Sequence, residues 1–257
     1  MDWGIDYLKY DWNPNDYYHV KEMHDALRSY NRDVVYSLSN SAPYGDAPQW
    51  EKMANCWRTT GDIRDTWERM SSLGFGQTKW APYCGPGHWV DPDMLVVGMV
   101  GWGPRLHYTR LTPDEQYTHM SLWALLASPL LIGCDMAQLD DFTLSLLTND
   151  EMIEVNQDPL GKPGMIVSQQ GDVIVYAKPL EDGSMAVGLF NRGDSVAQGK
   201  LTWKSVGIRG EQTVRDLWRQ QDVAKSDEEF VTEIAPHGVR FIKLYPGNSR
   251  EQATSGR

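Results

Sequence analysis

The chain has 257 residues, a formal net charge of −11 at pH 7, 41% hydrophobic and 23% charged residues. The acidic balance argues against a nucleic-acid partner, which needs clustered Lys and Arg, and no apolar window is long enough to span a bilayer. Cys56, Cys84 and Cys134 cannot make a disulfide framework, and no Cys-x-x-Cys or His-x-x-x-His spacing supports a zinc site. Eleven tryptophans and twelve tyrosines serve either as core filling or as flat platforms for sugars and other ligands.

No signal peptide begins at Met1, and the chain opens directly into a strand, as the carboxy-terminal part of a longer protein does. Trp3 to Trp12 reads as that strand, with Ile5, Tyr7, Lys9 and Asp11 on one face and Leu8, Tyr10 and Trp12 on the other. Large side chains on both faces predict a strand covered on two sides. Asn13-Pro14-Asn15-Asp16 is a turn that can cap a helix carrying Val20, Met23, Leu27 and Tyr30 at helical spacing. Asp33 to Ser39 is the next strand, with Ser39-Asn40-Ser41 at its carboxy end. A short helix around Trp50 leads to a segment from Cys56 to Asp62, which if extended points Arg58, Thr60 and Asp62 the same way.

Trp67, Met70 and Leu73 continue as a helix ended by Gly74, and residues 75–88 read as a long loop. His88 to Met94 is a strand ending in acidic residues. Thr112, Pro113, Asp114 and Glu115 spell a capped helix start, with a capping box between Thr112 and Glu115. That apolar helix runs to about Leu126 and leads into a strand at Pro129–Asp135, followed by a helix over roughly 143–155. Beyond Pro163 the pattern switches to period two, with strands near 173–177, 185–190, 201–203, 213–218 and 239–244 separated by Gly-Asp turns.

The expected fold is therefore α/β: a (β/α)8 TIM barrel of which only about the last five βα units are present, followed by an antiparallel β-sandwich. The expected boundaries are 1–163 for the barrel portion, 164–246 for the sandwich and 247–257 for a disordered polar tail. Acidic side chains gather at the carboxy ends of the strands, where a βα barrel carries its active site. Asp11, Asp62 and Asp93 stand out, beside the cations Lys9 and Arg58. Each aspartate by itself reads first as a helix cap or loop carboxylate, and Lys9 with Asp11 equally as a structural ion pair. Together they fit a retaining glycosidase, which needs an ionised nucleophile and a protonated acid about 5–5.5 Å apart. Lys9 keeps Asp11 ionised, and a substrate seated over Asp62 desolvates it.

At these residues the chain resembles glycoside hydrolase family 27, the α-galactosidase (melibiase) and α-N-acetylgalactosaminidase family. Asp2-Trp3-Gly4-Ile5-Asp6-Tyr7-Leu8-Lys9-Tyr10-Asp11 looks like the strand bearing that family's nucleophile. Trp57-Arg58-Thr59-Thr60-Gly61-Asp62 is similar to the segment bearing its acid/base. Gly85 to Leu95, with Asp91-Pro92-Asp93, and Asn156-Gln157-Asp158-Pro159-Leu160-Gly161 match two further motifs. The likeness covers about residues 2–163.

The resemblance implies Asp11 as nucleophile, Asp62 as acid/base, Lys9 and Arg58 on sugar hydroxyls, and Asp93 lining the sugar pocket. Residues Tyr36 to Pro43 then read the substituent at C2 of the sugar. Ser39 and Ala42 stand where animal α-galactosidases carry glutamate and leucine, and match the small residues of the N-acetylgalactosaminidases. The neighbouring Asn40-Ser41 lacks the Trp-Pro of that type. The family's first three βα units, which bind O4 and O6, have no counterpart in this sequence. The expected function is hydrolysis of terminal α-D-galactosides. Alternatives are an α-N-acetylgalactosaminidase, a β-L-arabinopyranosidase, and an inactive or carbohydrate-binding relative. A metal enzyme using Asp91 and Asp93 is disfavoured, because Pro92 keeps both on one short segment and no His joins them. No metal or organic cofactor is implied; the expected partner is a carbohydrate, with no nucleic acid and no membrane. The resemblance implies a secreted or periplasmic protein, and the oligomeric state is open.

Overall fold

The computed structural model describes residues 3–11, 15–101 and 105–246. Trp12, the Asn13-Pro14 start of the first turn and the polar tail from 247 onward lie outside the described residues. Four parallel strands run in sequence order across one sheet: β1 (Tyr7–Tyr10), β2 (Val35–Leu38), β3 (Cys56–Arg58) and β4 (Trp89–Asp91). Helices α1 (Tyr17–Arg28), α2 (Ala47–Met53) and α3 (Trp67–Phe75) connect them. The register pairs Lys9 with Ser37, Ser37 with Cys56 and Cys56 with Trp89.

Strand alternation sorts the side chains. Leu8, Tyr10, Tyr36, Leu38, Trp57 and Val90 point toward the helices and join a core with Val20, Trp50 and Trp80. The other face carries Tyr7, Lys9, Ser37, Cys56, Arg58 and Asp91. The α1 helix begins at Asp16, whose carboxylate accepts the His19 N–H, and α3 begins at Thr66 in the same way with Arg69. These caps satisfy amides that have no partner within the helix.

The strand expected over Trp3–Trp12 is shorter and more open than the sequence suggests. Among the described residues β1 pairs only with β2, and Trp3, Ile5 and Tyr7 are exposed. With one neighbour β1 is an edge strand; separately, its Leu8 and Tyr10 face packs on the core while its Tyr7 and Lys9 face is exposed. Residues 129–135 also fall short of a strand. A single bridge joins Ile132 to Leu95, and no described strand lies on the other side to extend it. After β4 come a small hairpin of β5 (Met99–Val100) and β6 (His107–Tyr108), then α4 (Pro113–Leu125). The expected capping box of α4 is present in both directions. Ten of its residues are buried, which makes it a core helix rather than an amphipathic one. Gly74 lets α3 approach it: a Cβ there would lie 2.6 Å from Leu122.

The helix expected over 143–155 is two helices, α5 (Asp141–Leu147) and α6 (Asp150–Asn156). The break has a local cause, since the Asn149 side chain accepts the Met152 N–H and starts a new helix. The loop at 75–88 holds a 3-10 helix, Thr78–Tyr83, that buries Trp80.

A six-stranded antiparallel sheet follows in the order β12-β11-β14-β9-β8-β7, with β7 (Met165–Gln170), β8 (Val173–Pro179), β9 (Met185–Asn191), β11 (Gln212–Asp216), β12 (Gln221–Ser226) and β14 (Val239–Pro246). A two-stranded sheet of β10 (Ala197–Thr202) and β13 (Glu229–Ile234) packs on one face. The strands β7, β12 and β13 are not foreseen from the sequence, because their apolar residues do not alternate strictly with polar ones. Val175, Val187 and Leu189 pack toward β10 and β13, while Tyr176, Ala186 and Phe190 pack toward α4. Both faces of this sheet are therefore covered. The junction includes Lys178, fully buried, whose ammonium donates to the carbonyls of Ala124 and Val155 near the carboxy ends of α4 and α6. Those carbonyls carry the negative ends of two helix dipoles. Burial pulls the lysine down to about 8.

Candidate active site

The carboxy ends of β1, β3 and β4 carry Asp11, Asp62 and Asp93. The structure links Asp62 and Asp93 through one cation. The Arg58 side chain is 7% exposed; its Nη2 lies 2.6 Å from Asp62 Oδ1 and its Nη1 3.5 Å from Asp93 Oδ2. A guanidinium this deep in the protein needs such partners, because an unpaired buried charge is costly. Arg58 Nε also donates to the Thr60 carbonyl at 3.0 Å, which curls the chain after β3 so that Asp62 returns to the arginine. The Asp62 carboxyl itself is 77% exposed and open to a ligand.

Asp93 sits at φ +94°, a conformation that non-glycine residues avoid. Its surroundings hold it there. The N–H donates to the Asp91 carboxylate and the carbonyl accepts the Trp123 indole N–H, both at 2.8 Å. Its carboxylate accepts the N–H groups of Ile63 and Met94. Strain that is over-determined in this way is a common mark of a working site. Asp91, buried behind it, is pushed up to about 6 by desolvation, against the hydrogen bond from Asp93; the charge of Asp93 adds to the rise, and those of Arg58 and Lys9 oppose it.

Asp11 is exposed and accepts the Asn40 Nδ2 at 2.6 Å. Among the described residues no ion pair joins it to Lys9, so the expected Lys9–Asp11 pair is replaced by an amide contact. The charge of Lys9 is felt at Asp91 instead. The loop that delivers Asn40 is held at both ends. The Ser39 N–H donates to the Tyr10 carbonyl, and the Ala42 N–H donates to the Arg58 carbonyl. Between them Asn40 and Ser41 both have left-handed φ, +65° and +52°, a turn that asparagine tolerates. Buried Asn15 donates to the carbonyls of Ser39 and Asn40. Ser39 is buried with no hydrogen-bond partner for its hydroxyl among the described residues, and Ala42 joins the core with Trp50 and Trp57.

The structure thus brings Arg58, Asp62 and Asp93 into direct contact and ties Asp11 to them through the 39–42 loop. Asn40 and Trp123 are the contributors that sequence reasoning passed over, and Asp91, weighed there only as a metal ligand, instead accepts the Asp93 N–H. For Asn40 the polar run after β2 was the available signal; for Trp123, 30 residues from Asp93, there was none. Among the described residues no group of three or more His, Cys, Asp or Glu side chains is placed to hold a metal ion. Asp91 and Asp93 spend their oxygens on amides and on Arg58 rather than converging. All three cysteines are unpaired.

The family model described as alpha galactosidase A matches residues 1–158, and that of the alpha galactosidase C-terminal beta sandwich domain matches residues 170–244. An alpha-galactosidase of Cyamopsis tetragonoloba is 41% identical over 251 residues, covering 95% of this chain and 59% of the relative. An alpha-N-acetylgalactosaminidase of Gallus gallus is 30% identical, with 95% of this chain and 63% of the relative covered. The crystal structure of a GH27 β-L-arabinopyranosidase from Geobacillus stearothermophilus superposes with a TM-score of 0.90 at 33% identity, over 97% of this chain and 60% of that one. The chain spans about 60% of the length of the curated relatives it matches. Its parallel βα units are a portion of a TIM barrel, followed by the antiparallel sandwich. This chain belongs to the alpha-galactosidase (melibiase) family, glycoside hydrolase family 27.

Proposed function

We propose that the protein containing this chain is a retaining exo-glycosidase that hydrolyses terminal α-D-galactosyl residues. The observation that carries the reading is the Asp62–Arg58–Asp93 contact at the carboxy ends of adjacent parallel strands, with Asp11 two positions beyond Lys9 on the same sheet. Asp11 attacks the anomeric carbon, and the Asn40 amide orients the attacking carboxylate. Asp62 protonates the departing oxygen and then activates water against the glycosyl-enzyme. Lys9 and Arg58 bind sugar hydroxyls, and Asp93, rigid on its strained backbone, lines the pocket. Ser39 and Ala42 lie where a C2 substituent is read. No metal or organic cofactor takes part in these steps. We further propose residues 1–163 and 164–246 as the barrel portion and the sandwich, and a secreted or periplasmic location. Among the described residues no helix is long and apolar enough to cross a membrane.

The test uses the protein expressed from the complete reading frame that contains this chain. Its hydrolysis of an α-galactoside, followed by proton NMR, should release the α-anomer first. Release of the β-anomer would remove the double displacement, and no hydrolysis would remove the activity. A second reading, tolerance of a 2-N-acetyl group, rests on Ser39 and Ala42, small side chains at the position concerned. N-acetylgalactosaminides should then be cleaved at rates comparable with galactosides, and Ser39→Glu should depress that activity selectively. Strict rejection of the N-acetyl sugar ends this second reading.

A further inference from the structure

Next to Asp62 runs an open groove of about 1180 Å3. Of the residues assigned above to the sugar and its chemistry, only Asp62 lines it. The other walls carry Arg64, Arg69, Arg105, His107 and Arg110. Four arginines and a histidine in one groove contrast with a chain of net charge −11, and Glu68 is the one carboxylate on the lining besides Asp62.

The arginines are not equivalent. Arg110 is committed to Asp65, with its Nη2 2.6 Å from Oδ1 and its Nε 3.2 Å from Oδ2, and His107 Nε2 meets the same carboxylate at 3.1 Å. Asp65 is fully buried; burial would raise its carboxyl, but the hydrogen bonds from Arg110 and His107 hold it below the ordinary range. This cluster fastens the 105–110 segment to the 62–69 segment and builds the groove's floor. Arg69 donates Nε to the Asp62 carbonyl at 2.8 Å, and among the described residues its charge meets no carboxylate. Arg64 and Arg105 have no carboxylate partner among the described residues. Among the described residues the groove therefore presents three guanidinium groups with no carboxylate partner beside the acid/base carboxyl.

A general acid touches the glycosidic oxygen, so the leaving group begins at Asp62 and extends away from the residues that hold the galactosyl ring. The groove is the surface that meets this description. Guanidinium forks match the planar or tetrahedral oxygens of carboxylates and sulfates. We propose that this groove is the leaving-group subsite and that it selects an anionic sugar, one bearing a carboxylate or a sulfate. The inference rests on the glycosidase reading above and adds the class of substrate.

Three α-galactosyl disaccharides with one linkage test it, differing only at C6 of the leaving sugar: galactose, galacturonate, or galactose sulfated at C6. Galactosyl fluoride, which has no leaving sugar and needs no acid, is the control. With the protein from the complete reading frame, kcat/KM for at least one anionic disaccharide should exceed the neutral one by roughly five-fold, the scale of an exposed charge pair. The better of the two anions identifies the source. That ratio should shrink toward one at about 1 M salt, where screening is nearly complete, and in the double variant Arg64→Gln, Arg105→Gln. Fluoride hydrolysis with equal or better kcat/KM for the neutral disaccharide overturns the anionic subsite and leaves the glycosidase standing. A ratio above one that neither salt nor the double variant changes also overturns it, because the selectivity then comes from elsewhere. Failure to hydrolyse even the fluoride overturns both.

Discussion

Leu189 in β9 and Tyr7 in β1 are both large side chains on strands of a sheet, yet Leu189 is fully buried and Tyr7 is 43% exposed. The β9 strand has a neighbour on each side, α4 against one face and the β10–β13 sheet against the other. Among the described residues the β1 strand has one neighbour and one covered face. Composition does not separate them; partnership does. The consequence is a division of labour. The antiparallel sheet, covered on both faces, carries stability within this chain, whereas the parallel sheet carries the candidate chemistry beside an edge that is unpaired among the described residues. An edge with unpaired N–H and C=O groups invites association with another strand.

If that division holds, damage to the parallel sheet's carboxylates should cost rate and spare stability. Asp11→Asn, made in the protein from the complete reading frame, should lower kcat by roughly four orders of magnitude or more on every galactoside, with the melting temperature little changed. Asp62→Asn should spare substrates with good leaving groups such as nitrophenyl galactosides in the first step, because an activated leaving group relieves only the acid. Equal loss on activated and natural substrates would end the acid assignment.

Arg58 sharpens the comparison because it serves both purposes. Arg58→Met leaves the buried Asp93 carboxylate without its cation, and we expect a loss of about 3 kcal/mol in urea denaturation together with most of the activity. A variant that melts like the parent would show that the amides of Ile63 and Met94 satisfy Asp93 unaided.

The sandwich should show the reverse pattern. Leu189→Ala should cost about 3 kcal/mol and leave kcat of the folded fraction intact. By contrast, Tyr7→Ser in the soluble fraction of residues 1–257 alone should change stability by no more than about 0.5 kcal/mol, because Tyr7 is half-exposed there. The same substitution should cost more once further barrel units cover β1. Residues 1–257 expressed alone should aggregate or lack hydrolase activity. A monodisperse, active monomer on light scattering would show that the open edge needs no cover.

The pH dependence separates two buried groups. His119, fully buried against Trp123 with Nε2 accepting the Val96 N–H, is pulled down by desolvation from 6.5 to about 3. The unfolded chain therefore binds the extra proton, and the stability is present above pH 6.5 and lost as pH falls toward 3. Asp91, raised to about 6, acts in the opposite direction. Its contribution is present below 3.8 and lost as pH rises through 6. Denaturant titrations between pH 7 and 4 should show His119→Gln flattening the acid-side loss, by up to about 1.4 kcal/mol per pH unit, and Asp91→Asn steepening it. Parallel curves for parent and His119→Gln would mean that water reaches the ring.

Features set by contacts within a few residues were legible in the sequence. Thr112 to Glu115 announces the start of α4 because a capping box closes over three residues. The period-two runs at 173–177 and 185–190 announce β8 and β9 because alternation is a property of one strand. The acidic strand ends were visible as residue types. The helix break at Asn149 was also local, but the apolar periodicity ran through it and hid it. Contacts between distant residues were decided only by the tertiary structure. Asp11 takes Asn40, 29 residues away, rather than its neighbour Lys9. Asp93 is locked by Trp123 across 30 residues, and Lys178 is buried because two helix ends meet over it. Residues 129–135 have the composition of a strand and only one bridge, since a strand exists only where a second backbone lies alongside it. Local sequence specifies what each segment offers. Which offer is taken depends on which surfaces the fold brings within hydrogen-bonding reach.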